Sequence, residues 1–121
     1  MLVIRDAQMA VFGRIAEAAF CERAVAYLQR TIPEVCAGMT HEHLLESVKY
    51  AVARCRSLGT EREIDVLRYL NLMYVFGFQF ERLPWAERIL ARTSMHPRAR
   101  MKWLSDHALY VAGQEATHVT G

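Results

Sequence analysis

The run from Ile64 to Trp85, IDVLRYLNLMYVFGFQFERLPW, limits what this chain can fold into more than any other part of it. Most of its residues are Ile, Val, Leu, Met, Phe, Tyr or Trp. A helix built from them is apolar on nearly every side and is stable only when other helices cover it. The expected fold is therefore all-α: a single-domain bundle of about five helices around a central apolar helix at about 61–76. The bundle is expected over residues 1–113, with a disordered tail at 114–121. A chain of 121 residues can bury about two thirds of the surface its unfolded form exposes, so such a bundle needs no disulfide or metal.

Caps and breakers place the helices. Asp6 is positioned to cap a first helix from about Ala7 to Arg30, with Met9, Phe12, Ala16, Ala19, Phe20 and Tyr27 at three- and four-residue steps as its inward face. Gly13 weakens that helix and leaves room for a neighbour. Pro33 makes Thr31 to Gly38 a break or a short turn of helix. Thr40 caps the second helix, with Met39 and Leu44 in the positions of a hydrophobic staple. Leu44, Val48, Ala51, Val52 and Cys55 form the buried stripe of that helix, and Gly59 ends it in the left-handed conformation. Thr60-Glu61-Arg62-Glu63 reads as a capping box at the head of the central helix. Gly77 closes that helix, and Phe78, Phe80 and Leu83 lead to Pro84 at the start of a short helix ending near Arg92. Pro97 opens the last helix, with Met101, Leu104, Ala108 and Val111 inward and Gly113 as the stop.

Composition narrows the function classes. Hydrophobic residues at 53% and charged residues at 23% describe a folded globular domain rather than a disordered or fibrous chain. A net charge of +2 falls short of the basic excess of a dedicated nucleic-acid binder. Cys21, Cys36 and Cys55 lack CxxC spacing and read as buried, reduced thiols of a cytoplasmic protein. Neither a signal-peptide core nor a membrane-spanning run is visible.

Motifs of catalysis and metal binding are not found. His41 and His43 are two apart, so a helix points them away from each other, and no HExxH pattern surrounds them. They read as exposed first-turn residues, as His96 and His107 read as surface residues. Ser47, Ser57, Ser94 and Ser105 lack a GxSxG elbow, and Cys55 sits on a buried stripe. Glu61, Glu63 and Asp65 are accounted for as acids offsetting the positive end of a helix. No phosphate loop or GxGxxG run is present. The expectation is a protein without catalytic, cofactor-binding or metal-binding residues, and so without a cofactor.

Two groups of residues are candidates for partner binding. Arg88, Arg92, Arg98, Arg100 and Lys102 place five cations between residues 88 and 102 without an acid, suited to an acidic protein or a polyanion. The alternative is a merely solvated face. Phe78, Phe80 and Trp85 are aromatic anchors of the kind that concentrate binding energy, or else plugs at the end of the bundle's own core.

The run SLGTEREIDVLRYLNLMYVFGFQFERLPWAERIL resembles the signature half of small all-helical proteins encoded in bacterial type VI secretion loci, beside genes for spike-tip proteins and toxin effectors. The shared elements are Gly59, Thr60 to Glu63, Tyr69 to Met73, Phe76 to Glu81, Pro84 to Ala86, and Ile89 with Leu90, with Gln8 and Phe12 matching more loosely. The resemblance implies a non-enzymatic, cytoplasmic co-chaperone or adaptor. Such a protein binds a toxin effector, the effector's chaperone, or both, and brings no catalytic residues with it. An immunity protein that occludes a toxin is the alternative. A small nucleic-acid-binding regulator using Arg92, Arg98 and Arg100 is a further one, and an enzyme is the least favoured. A homo-oligomer is left open, and no membrane partner is expected.

Overall fold

A computed structural model of the protein describes the backbone of residues 14–120 and the side chains of residues 16–114. The described residues form six α-helices and one 3-10 turn, with no strand, as the all-α expectation requires. They are α1 (Arg14–Thr31), α2 (Pro33–Cys36), α3 (His41–Ser57), α4 (Glu63–Phe76), α5 (Pro84–Leu90) and α6 (Pro97–Thr120), with the 3-10 turn at Phe80–Arg82 between α4 and α5. Asp6, Gln8, Met9, Phe12 and Gly13, which the sequence assigns to the first helix, lie outside the described residues. The helices group into two compact units that divide between Leu70 and Asn71, inside α4.

In the first unit α1 packs against α3 and α2. The inward face of α1 is Phe20, Cys21, Ala24, Val25 and Leu28, whereas Ala16 and Ala19 are exposed. That corrects the expected face. The four-residue rhythm Phe20–Ala24–Leu28 carries more apolar area than the alanines, and burying a large apolar side chain is worth about 1.5–3 kcal/mol. The stripe of α3 is as expected: Leu44, Val48, Ala51, Val52 and Cys55 are all buried. Thr40 caps this helix, its Oγ1 accepting the His43 N–H at 3.1 Å. Gly59 has φ 98°. The Gly59 N–H donates to the Arg56 carbonyl at 3.1 Å and the Thr60 N–H to the Cys55 carbonyl at 3.0 Å, the paired closure of a Schellman motif.

That closure overturns the expected capping box. The Thr60 backbone N–H is already bonded behind α3, so the Glu63 carboxylate has no donor there to reach. It instead receives both bonds of Arg23, at 3.0 and 2.9 Å. In α4 the residues Val66, Leu67, Tyr69, Leu70, Leu72 and Met73 are buried, and the last turn opens to solvent at Val75. Gly77, at φ 103°, ends the helix as expected.

In the second unit α5 packs against the 3-10 turn and α6. Pro84 stands at the start of α5, where its missing N–H costs nothing. Met101, Leu104 and Ala108 of α6 are buried, with Val111 partly so. Gly113 does not stop this helix. The backbone runs helical through it to Thr120. A glycine after an apolar row is a stop only when the chain turns left-handed there, and Gly113 does not.

Candidate functional site

An open groove of about 560 Å3 lies on the first unit, lined by Glu17, Cys21, Leu45, Lys49, Arg56 and Glu61 among others. Three of its polar groups are engaged with one another. Arg56 donates to Oε1 of Glu17 and to Oε1 of Glu61, each at 2.6 Å, and those bonds raise its pKa above the ordinary value. Burial, with Glu17 second, pushes the Cys21 thiol up, so it stays protonated and is a poor nucleophile. Deeper in this unit, Asp65 is fully buried and accepts four hydrogen bonds, from Thr60, twice from Arg62, and from Arg68. The acid read from sequence as dipole compensation is thus the centre of a closed polar knot. Among the described residues no group of three His, Cys, Asp or Glu is placed to hold a metal ion.

The second unit distributes the predicted partner-binding residues over core and surface. Phe80 is 1% exposed and belongs to the core. Arg100 is buried and donates to the Leu90 carbonyl at 3.2 Å, tying α6 to the end of α5. These two are therefore not surface anchors. Phe78 is half exposed, its ring edge-on to Tyr74 with centroids 5.3 Å apart. Trp85 is half-buried in a ladder of rings: Phe76 to Trp85 at 5.3 Å, Trp85 to His107 at 5.4 Å, His107 to Tyr110 at 5.9 Å. Arg88, Arg92 and Arg98 are exposed. The Arg92 guanidinium stands 5.0 Å from the centroid of the Trp103 ring, within reach of a cation–π attraction.

His96, expected at the surface, is exposed, and it also caps α6 through Nδ1, which accepts the Arg98 N–H at 3.2 Å. Sequence reasoning passed over Trp103, Leu109 and Tyr110. They are 36%, 73% and 62% exposed and give the outward side of α6 an apolar character. The signal was available: all three fall off the inward row Met101, Leu104, Ala108, Val111, so a helix must turn them toward solvent. With Arg98 exposed on the same helix and the Arg92 guanidinium over the Trp103 ring, aromatic and basic groups occur together there, the composition enriched in protein-binding patches.

No helix of the described residues is long and apolar enough to cross a membrane. Compared with known proteins, the chain matches no family model, no curated protein sequence and no solved structure.

Proposed function

We propose that this chain is a non-enzymatic protein-binding module, a cytoplasmic co-chaperone or adaptor that engages a type VI secretion effector, its chaperone, or both. The observation that carries the reading is the outward side of α6, where Trp103, Leu109 and Tyr110 stand exposed and the Arg92 guanidinium lies over the Trp103 ring without a carboxylate partner among the described residues. Leaving large apolar side chains in water forgoes stabilisation that a partner restores on binding. The polar groups of the first unit serve the fold: Asp65 is saturated by its own neighbours, and Arg56 is held by two glutamates. The sequence resemblance of the 57–90 region supplies the kind of partner.

The test is co-expression with the products of neighbouring genes, followed by co-purification. The expected result is a complex with an effector or its chaperone, without protection of a cell that makes the toxin. Protection would assign the chain to immunity, and a chain that captures none of these products would overturn the proposal.

A further inference from the structure

We infer that the outward face of α6 receives an acidic amphipathic helix from the protein partner, its carboxylates meeting Arg88, Arg92 and Arg98 and its apolar side chains seating on Trp103, Leu109 and Tyr110. The inference rests on the reading of the chain as a binding module and adds the chemistry and shape of what is bound.

Charge complementarity carries the first half. In the first unit, Arg23, Arg56, Arg62 and Arg68 each hold a carboxylate. Lys102 on α6 is likewise neutralised by Asp106, at 2.8 Å. Arg88, Arg92 and Arg98 hold no carboxylate among the described residues, and all three are exposed. Arg98 is the second residue of α6, whose first turn has no acid. The positive end of a helix disfavours a cation there, so the fold itself gains nothing from the charge. A carboxylate from outside removes that penalty.

The helix repeat carries the second half. Lys102 and Leu109 are seven residues apart, and so are Trp103 and Tyr110, so each pair lies in one row along α6. Between the rows the exposed positions Ala99 and Asp106, again seven apart, bear short side chains. Two ridges with a low line between them, repeating every two turns, are the shape into which the ridge of a second helix packs. From Arg98 to Leu109 the face extends about 16 Å, the length of about eleven helical residues. The basic end lies at the start of α6 and the apolar end further along, which orders the partner: acids at one end, apolar residues at three- and four-residue steps toward the other. Nucleic acid would satisfy the arginines but has no use for an exposed Leu109, so a protein segment is favoured.

The experiment is a displayed library of helical peptides of about sixteen residues, selected against the full chain and against a variant carrying Arg92→Glu and Arg98→Glu. Enriched peptides are expected to carry Asp or Glu at one end and apolar residues in a helical row at the other. A synthetic copy should lose about tenfold or more in affinity against the variant, and against Leu109→Asp, and should weaken with added salt. Thermal melting of the double variant keeps the result interpretable: Arg98→Glu places an acid at the positive helix end, which offsets the loss of the Arg92–Trp103 stacking, so the double variant should melt close to the parent chain.

Enrichment without acids, no enrichment at all, or affinity unchanged in both variants would overturn the inference. So would tight binding of a single-stranded oligonucleotide of about twenty nucleotides that the double variant abolishes. A neighbouring-gene partner that co-purifies equally with the double variant would leave the binding-module reading standing and remove this face from it.

Discussion

The Thr60 hydroxyl donates a 2.7 Å hydrogen bond to Oδ2 of Asp65, a carboxylate with no exposed surface. Thr60 follows the glycine that ends α3, and Asp65 lies in the first turn of α4, so this bond fixes how one helix leads into the next. Arg62 closes the same carboxylate from Nε at 2.9 Å and Arg68 from Nη1 at 3.1 Å. A buried charge is tolerable only when every lone pair is matched, as here.

Asp65→Ala therefore removes the acceptor shared by three donors. With Arg62 and Arg68 only 17% and 27% exposed, the expected loss is about 3 kcal/mol. Thr60→Val should cost about 1–2 kcal/mol by leaving one carboxylate lone pair unmatched. Urea unfolding of both single variants and the double variant measures the coupling. The double should cost clearly less than the two singles together, because one bond is lost in each. Strict additivity would show that Thr60 acts through something other than Asp65.

Two glycines should respond to alanine with opposite signs. Gly77 has φ 103°, and a Cβ there meets no atom within 4 Å, so the whole penalty is backbone strain of about 1–2 kcal/mol. Gly113 is helical and its Cβ position is equally open. Alanine there should stabilise by about 0.5–1 kcal/mol. Thermal melts of the two variants beside the parent decide both, and a stabilised Gly77→Ala would contradict the left-handed geometry.

Phe78 and Phe80 look alike in sequence and should behave differently. Phe80 is 1% exposed, and its removal to Ala should cost about 3–5 kcal/mol. Phe78 is 48% exposed and touches Tyr74 by its edge. Its removal should cost under about 1 kcal/mol in stability and be felt, if at all, in partner binding. Denaturant midpoints of Phe78→Ala and Phe80→Ala, measured with an affinity assay on the same samples, separate the two roles.

The Cys21 thiol gives a pH dependence with a defined sign. Burial raises its pKa above the ordinary 9.0, with Glu17 adding to the rise and Lys49 opposing it. The unfolded thiol therefore ionises first. The contribution to stability is complete below the ordinary value and is lost as pH rises past it toward the folded value. Cys21→Ala should flatten that alkaline decline in a series of urea midpoints. In the native protein, Cys21, Cys36 and Cys55, all buried, should react slowly with a thiol reagent and become available together on unfolding. Fast labelling of any one of them in the folded chain would show that its cover opens locally.

Much of the fold is written in local signals. Pro84 and Pro97 open helices because a residue without an N–H is tolerated only in the first turn. Gly59 and Gly77 close them because they can turn left-handed. The stripe of α3 follows from one unbroken helical rhythm. The same logic failed on α1, where small alanines and large apolar residues shared the helix and only packing chose between the faces. It failed again at Gly113, since a glycine signals a stop only if the chain turns there.

What the sequence determined by itself is the helical class, most helix boundaries and the burial of the thiols, all consequences of spacing and backbone preference within a few residues. Tertiary structure decided which charges are spent and which are left over. Asp65 and Glu63 stand two apart in one helical turn, yet one is sealed among three donors and the other reaches Arg23, forty residues away in sequence. Among the candidate binding residues, Phe80 and Arg100 were drawn inward while Arg88, Arg92 and Arg98 stayed out. The physical reason is that a charge or a ring is free to meet a partner only after the fold's own long-range contacts have been satisfied, and those contacts are fixed by packing rather than by neighbours along the chain.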